Sequence, residues 1–357
     1  MNKVFQFKYS LTFIILFATV CGFAQVTSSK KFTRTFALTD AGQVTINNKY
    51  GDVSVSGWEK DSVRVQIEIV TQGTSDELVK RINPTFDYSE EYLEVTSEIS
   101  PKKESYLGRL VRSWNPVEFD KSSVDIHYQV MIPAKAQLRV DNKYGDINIE
   151  ECKGRLRLSA EHGDIRSSGY ITYADVDLTF GLFRVHAIGR GDITIRNGTI
   201  DITKAEHIEL TSAGSEIEID SVNTLTLDVS KGRTFINSVG ILNAEARFTE
   251  MTVDLIKDFA DINAYQSDIK LVNLGSGLQN LKLNQTSSDI EIQSFERGLD
   301  IYAYLESGLL RLPRSADNLD VKIIDEKEEI REVKATIGTL PYTNLQLKGK
   351  KGNVLIK

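Results

Sequence analysis

The chain repeats a short apolar–turn–apolar unit along most of its length. Five residues, Asn-Lys-Tyr-Gly-Asp, occur identically at positions 48–52 and 142–146. Around both segments the pattern is apolar, any, apolar, four turn residues, glycine or serine, any, apolar, any, apolar. Because a fixed period constrains a fold more strongly than local propensity does, this unit limits the architectures open to the chain.

Copies of the unit follow one another at a nearly constant spacing. Gly145 and Gly163 are 18 residues apart, and Ser215 and Gly232 are 17 apart. Alternation of apolar and polar residues predicts strands that bury one face each, and the glycine or serine position predicts a turn in which a large side chain would be strained. Clear copies begin at Val44, Leu138, Leu156, Ile208, Leu225, Leu281, Ile301 and Leu345, and degenerate copies cover 176–185, 193–202, 244–255 and 262–271.

A unit this short cannot bury its apolar face alone, so neighbouring copies must stack. The sequence therefore predicts an all-β protein, a single-chain β-solenoid or β-helix of two-strand coils with a period of about 17–21 residues and an N-terminal capping insertion. The alternative is a sandwich or barrel of antiparallel hairpins. It is less favoured because the turns lack the two-residue Asn-Gly or Asp-Gly loops of tight hairpins.

Two interruptions of the repeat suggest the domain organisation. The insertion after the first copy contains strand patterns at Val63–Val70, Tyr92–Ile99 and Val124–Ile132, and a short helical pattern at Asp76–Ile82. Its expected role is to cover the exposed strands at one end of the stack. The predicted segments are a leader (1–24), the first copy with its cap (25–137), the solenoid repeats (138–312), an exposed charged insertion (313–343) and a terminal copy (344–357).

Residues 1–24 have the layout of a secretory signal peptide, with Lys3 and Lys8 before an apolar run at 11–20. The run is shorter than the ~20 residues that a membrane span needs, so the mature chain is predicted to lack a transmembrane segment. Export to the periplasm or cell surface follows. Lipid attachment at Cys21 is a further option, although Val20 is unusual at that position of a lipoprotein signal. Cleavage leaves Cys152 as the single cysteine, which predicts a structural thiol and no intramolecular disulfide.

Charge and motifs narrow the range of functions. A formal charge of −7 argues against a nucleic-acid partner. The chain has no Gly-x-Ser-x-Gly elbow, phosphate-binding loop, dinucleotide fingerprint or calcium-binding Gly-Gly-x-Gly-x-Asp repeat. The histidines, His127, His162, His186 and His207, do not show metal-ligand spacing. We therefore expect no cofactor, no metal and no enzymatic activity.

Acidic residues follow the glycine or serine position in several copies. Stacked on adjacent coils, they could hold a cation or protonate a glycosidic bond. The favoured interpretation is structural, because Asp is a common turn residue and the position after the glycine is predicted to face solvent. These residues are Asp52, Asp146, Asp164, Asp192, Asp268 and Asp289, with Glu216 at an equivalent place.

The segment 101–123 is the candidate partner surface. Its basic and aromatic side chains, Tyr106, Arg109, Arg112 and Trp114, are of the types that dominate binding hot spots and stack on sugars. A glycan or an envelope or surface protein is the expected partner. The alternative is a connector whose apolar residues fold back on the cap. The sequence does not indicate an oligomeric state.

Together the Asn-Lys-Tyr-Gly-Asp segments, the strand end at 130–133 and the many Ser-Asp-Ile or Gly-Asp-Ile turns resemble the bacterial putative-adhesin β-strand-repeat family. The resemblance covers about residues 40–312 and rests on periodicity. It implies an exported β-solenoid with no catalytic residues to transfer. The expected function is a non-catalytic adhesin or an envelope binding or structural module. The alternative is a polysaccharide-active β-helix enzyme, a lyase or glycoside hydrolase, with acids drawn from separate coils.

Overall fold

The computed structural model describes residues 27–72, 79–80, 82–99 and 124–357, and this part of the chain is all-β. Its strands belong to one open sheet that does not close into a barrel. The strands are β1 (Thr27–Ala37), β2 (Gln43–Lys49), β3 (Val53–Trp58), β4 (Ser62–Gln72), β5 (Ile82–Ser89), β6 (Tyr92–Ile99), β7 (Val124–Pro133), β8 (Gln137–Lys143), β9 (Ile147–Glu150), β10 (Arg155–Glu161), β11 (Ile165–Thr179), β12 (Leu182–Arg196), β13 (Thr199–Tyr265), β14 (Asp268–Leu274), β15 (Asn280–Thr286), β16 (Asp289–Phe295), β17 (Gly298–Glu306), β18 (Leu309–Arg311), β19 (Ala316–Asp325), β20 (Ile330–Ile337), β21 (Tyr342–Lys350) and β22 (Asn353–Ile356).

The strands predicted in the N-terminal insertion are confirmed as β4, β6 and β7. The predicted helix is wrong at its C-terminal residue, because Ile82 opens β5 and pairs with Ile99 in an antiparallel hairpin. Ile82 is fully buried there, so tertiary pairing overrides the local helical pattern. Val79 and Lys80 are helical, and residues 73–78 and 81 lie outside the described part.

Repeat copies pair with one another in parallel. Leu138 lies opposite Leu156, and Leu156 lies opposite Ala174, so the chain returns to the same row one copy later. The expected alternative of antiparallel hairpins within each unit is therefore wrong for these copies. The antiparallel pairs are β1–β4, β4–β7, β5–β6, β17–β20 and β19–β20.

Two ladders of hydrogen-bonded strands run through the repeats, and within them the repeat copies pair in parallel. The first ladder contains the strand before each turn, and its order is β5–β6–β2–β8–β10–β11–β12–β13–β15–β21–β17–β20–β19. The second ladder contains the strand after each turn, and its order is β1–β4–β7–β3–β9–β11–β12–β13–β14–β16–β22–β18.

Strand β13 spans several copies, and left-handed residues such as Lys231 and Phe248 interrupt its extended backbone. Its 67 residues would extend about 220 Å if straight, at roughly 3.3 Å per residue. Instead, residues 17 apart meet: the guanidinium of Arg233 donates a hydrogen bond to Glu216, and Gly232 lies against the carbonyl group of Ser215. β13 is thus a run of successive strands that bend into neighbouring rows.

Spatial order departs from sequence order at both ends. The C-terminal copy, β21 and β22, lies between the copies that begin at Leu281 and Ile301. At the other end, β2 lies between β6 and β8, and β3 lies between β7 and β9. The first and last repeat copies are therefore hydrogen-bonded on both sides, and the outer edges are β5 and β19 in the first ladder and β1 and β18 in the second.

Inward-facing apolar residues form continuous rows between the two ladders. One row of the first ladder runs through Val140, Leu158, Val176, Ile193 and Leu210, all buried and opposite one another in register. Burial of each such side chain contributes about 1.5–3 kcal/mol. The copies that looked degenerate in sequence keep this register. No helix in the described part of the chain is long and apolar enough to cross a membrane.

Candidate functional site

Each turn between the two ladders places one residue in the left-handed backbone region. Tyr144, His162 and Phe180 have φ values of 58°, 57° and 57°. Each lies one residue before the glycine position, so the strained residue is not the glycine predicted from sequence. Because successive turns stack, these left-handed residues form a column, which continues through Asn197, Gly214, Lys231, Phe248, Gln266 and Ser287.

The aromatic members of this column stack on one another. The ring centroids of Tyr50 and Tyr144 are 5.5 Å apart, those of Tyr144 and His162 are 5.2 Å apart, and those of His162 and Phe180 are 4.9 Å apart. The planes of the last two pairs are tilted by only 5° and 3°. Because neighbouring rings cover most of these ring faces, the stack stabilises successive turns.

The glycine position is required by the neighbouring backbone. A Cβ on Gly163 would overlap the carbonyl group of Gly145, with 2.6 Å to the carbonyl carbon, and a Cβ on Gly145 would overlap the carbonyl group of Gly51. Where serine replaces glycine, its hydroxyl joins adjacent copies. Ser267 Oγ accepts a hydrogen bond from the Thr249 amide at 3.1 Å and contacts the Ala246 carbonyl oxygen at 3.1 Å.

The acids after the first glycines bind the backbone of the next copy. Asp52 Oδ1 accepts a hydrogen bond from the Asp146 amide at 2.9 Å, and Asp146 Oδ1 accepts one from the Asp164 amide at 2.9 Å. Asp164 Oδ1 accepts one from the Leu182 amide at 2.8 Å. The Arg166 guanidinium donates to Asp146 at 2.6 Å and also to Asp164. These carboxylates link one copy to the next. The positive charge of Arg166 between Asp146 and Asp164 offsets the repulsion between their two negative charges.

Two of the remaining predicted turn acids follow a turn, and one does not. Asp268 and Asp289 come directly after the turn serines Ser267 and Ser288 and open β14 and β16. Asp192 lies within β12, opposite Asp175 and Glu209 in the first ladder, so its placement at a turn was wrong. Sequence alone could not separate Asp192 from the others, because the glycine before it lies in a strand and not at a turn.

Three acids share one row of the second ladder, which we call the acid row: Glu250, Asp268 and Asp289. They line a recess of about 390 Å³ together with Lys270 and Arg311. Asp289 Oδ1 accepts a hydrogen bond from Asn353 at 2.8 Å. Among the described residues, no group of three His, Cys, Asp or Glu side chains has the arrangement to hold a metal ion.

A groove of about 890 Å³ crosses the outward face of β13, β15, β21 and β17, and we call it the tyrosine groove. Tyr265, Tyr302 and Tyr304 line it, and shorter side chains such as Asn263 and Asn284 lie between them. Parallel register explains the juxtaposition, since Asn263, Asn284, Lys348 and Tyr304 occupy one row on four neighbouring strands. No local sequence pattern indicates this groove, because the position of β21 between β15 and β17 creates it.

Fixed polar contacts shape the tyrosine groove. The Asn284 side-chain amide donates to Asn263 Oδ1 at 2.9 Å, and Lys350 forms an ion pair with Glu306 at 3.0 Å. Tyr265 makes an edge contact with Phe248, with ring centroids 5.4 Å apart, and its own side chain stays 45% exposed. The groove thus combines aromatic surface, amide groups and both charge signs, which are the groups that orient sugars and other polar ligands.

The predicted partner residues Tyr106, Arg109, Arg112 and Trp114, and the leader with Cys21, lie outside the described residues. Cys152 is buried, and burial raises the pKa of its thiol to about 12, as expected of a structural cysteine. Burial likewise raises the pKa of Tyr128 to about 12, while its hydrogen bond with Ser97 acts in the opposite direction.

No protein-family model matches the chain, and no curated protein matches it. Among solved structures, the chain is similar to a "putative cell adhesion protein" of Clostridium sporogenes, with a TM-score of 0.21, 10% identity, and coverage of 92% of this chain and 99% of that one. A "putative adhesin" of Bacteroides fragilis matches with a TM-score of 0.27, 12% identity, and coverage of 92% and 98%.

A "putative lipid binding protein" of Parabacteroides distasonis matches with a TM-score of 0.33, 10% identity, and coverage of 92% and 97%. At these TM-scores and identities, the similarity transfers neither family membership nor function to this chain.

Proposed function

We propose that this chain is an exported β-solenoid that binds glycans without transforming them, through the tyrosine groove. Parallel pairing of successive copies in two ladders around shared apolar rows supports the solenoid. The signal-peptide layout of residues 1–24 supports export to the periplasm or cell surface.

The observation that carries the binding proposal is the concentration of tyrosines beside amides and charges in one groove. Tyrosine offers a flat apolar face for the C–H side of a sugar and a hydroxyl for its polar edge. Asn263 and Asn284 add amide donors and acceptors, and Lys348 is one of several exposed cations. An open groove across parallel strands suits an extended ligand, because identical strand spacing repeats the contacts along it.

A non-catalytic role is supported by what the turn carboxylates already do. Asp52, Asp146 and Asp164 accept backbone hydrogen bonds from the next copy, so they are occupied as structural acceptors. A hydrogen bond from Lys143 lowers the pKa of Glu161, and one from Lys357 lowers the pKa of Glu291. A general acid for glycoside hydrolysis needs the opposite shift.

The test is binding of the purified protein to an array of bacterial and host glycans, with soluble sugar products assayed in the same wells. We expect retention without product. Tyr265→Ala should weaken binding about tenfold, since loss of a central aromatic contact commonly costs more than 1 kcal/mol. Tyr170→Ala is the matched control, because Tyr170 is similarly exposed at 53% and lies outside the groove. Equal binding by both variants would place the ligand elsewhere.

The acid row favours a second candidate, a polysaccharide-active enzyme. Adjacent strands lie ~4.8 Å apart, so Glu250, Asp268 and Asp289 repeat at a spacing near that of paired glycosidase carboxylates. This function predicts release of sugar products that Asp268→Asn abolishes while glycan retention persists. Product release by the unmodified protein would overturn the non-catalytic proposal.

A further inference from the structure

An apolar stripe is exposed on the outermost strand of the first ladder. Leu319, Val321 and Ile323 of β19 are 60%, 51% and 62% exposed. β19 pairs with β20 on one side, and its other side has no strand partner among the described residues. Long apolar edges are uncommon in isolated soluble proteins because they invite strand addition.

The stripe is exposed because the two ladders end at different places. Val321 lies opposite Val333, which is buried, so Val321 and its alternate neighbour Ile323 lie on the face that is turned towards the core. The first ladder continues past β17 through β20 and β19, whereas the second ladder ends at β18. The side chains of β19 therefore extend beyond β18, the last strand of the second ladder, which covers the rest of this face.

We infer that the occupant of this edge is a second copy of the chain, paired antiparallel through β19 about a two-fold axis at Val321. In that register Val321 meets Val321 of the other copy, and Leu319 meets Ile323. Asp320 meets Lys322, and the two-fold axis forms this ion pair twice. Both the apolar and the charged residues of one strand thus find complementary partners.

Other two-fold registers of the same strand are unfavourable. An axis between two residues would set the apolar stripe opposite the polar face, because directly opposed residues lie on one face of a sheet. An axis at Asp320 or at Lys322 would place identical charges opposite each other. An axis at Leu319 or at Ile323 would set Val321 opposite Asp317 or Asp325. The sequence of β19 therefore selects Val321 from the possible axes.

The paired segment is short. Bulges interrupt β19 between Asp317 and Asp320 and between Ile323 and Asp325, and beyond them Asp317 would approach Asp325 of the other copy. Few residues and one like-charged contact at each end imply a weak and reversible dimer, as expected for a small interface.

The experiment is sedimentation equilibrium of the purified protein over a range of concentrations, with two charge reversals, Asp320→Lys and Lys322→Asp. We expect the unmodified protein to dimerise and each variant to dissociate at least about tenfold more readily, because each reversal turns both ion pairs into repulsions. An equimolar mixture of the two variants should recover dimers, since every contact then joins a lysine to an aspartate. Lys282→Asp on β15 changes net charge as Lys322→Asp does, and should leave association unchanged.

Mixing separates the proposal from misfolding. Asp320 also lies opposite Lys334 of β20, and Lys322 lies opposite Glu332, so each reversal disturbs its own hairpin. Only contacts between molecules can be repaired by mixing. A protein that stays monomeric at every concentration overturns the proposal and leaves the edge to a different partner. Dimers that persist in both variants, or a mixture that stays monomeric while the unmodified protein dimerises, overturn it as well.

Discussion

Replacing Gly163 with alanine tests whether the stacking distance of the copies is fixed by the bare backbone at the turn. The added methyl would lie 2.6 Å from the carbonyl carbon of Gly145, closer than side-chain carbons approach a backbone. The carbonyl oxygen of Gly145 would lie closer still, so the two copies must separate locally by more than about 1 Å to reach an ordinary contact, and close packing on both sides resists this.

The cost follows from the hydrogen bonds on either side of the contact. The Tyr144 amide donates to the Glu161 carbonyl oxygen at 2.9 Å, and the Ile147 amide donates to the Asp164 carbonyl oxygen at 2.8 Å. The separation stretches both beyond hydrogen-bond range, at about 1 kcal/mol each. With strain from overpacking, the free energy of unfolding should fall by about 3 kcal/mol.

Urea unfolding followed by circular dichroism measures the loss, and hydrogen exchange should show it first in the copies around residues 144–147 and 161–165. Gly169→Ala is the matched control, because the nearest atom to its Cβ is the Glu151 amide nitrogen at 3.4 Å. That change should alter stability by less than about 1 kcal/mol. If Gly163→Ala unfolds at the same urea concentration as Gly169→Ala, the steric explanation of the glycine at this turn position is refuted.

Two further predictions concern buried polar groups. Asn142→Ala should lower the free energy of unfolding by about 2–3 kcal/mol, because the buried Asn142 amide donates to the carbonyl oxygens of Gly51 at 3.0 Å and Gly145 at 2.9 Å. The control is Asn284→Ala, which removes one surface hydrogen bond to Asn263, and a loss in urea unfolding no larger than that of the control would contradict the prediction. The thiol of Cys152, with its pKa raised to about 12, should resist alkylation until the protein unfolds, and equal alkylation rates in folded and unfolded protein would refute the buried thiol. Its contribution to the free energy of unfolding should be complete below the ordinary thiol pKa near 8.5 and should disappear as the pH rises towards 12.

Much of the local architecture could be predicted from the residues alone. Alternating apolar residues and a fixed spacing predicted the strands β4, β6 and β7 and the parallel rows such as Leu138 opposite Leu156. These features depend on near neighbours in sequence, because strand periodicity and turn chemistry are local properties. The helix ending at Ile82 failed because its strand partner, Ile99, lies in the next strand of the insertion.

The candidate site could not be predicted from the sequence. The residues expected to bind a partner, at 106–114, lie outside the described part, whereas the tyrosine groove depends on the C-terminal strand β21 entering between β15 and β17. Tyr265 and Tyr304 come from strands that no period of the repeat relates directly, so their outward-facing positions carry no local signal.

The sequence by itself determined that the chain is all-β, which residues of the clear copies face inward, and where their turns fall, since these follow from a period that those copies repeat. Tertiary structure alone decided which copies are neighbours and which strands form the edges. A parallel row accepts any strand of matching pattern, so the positions of β21 and of the exposed β19 are fixed by long-range pairing.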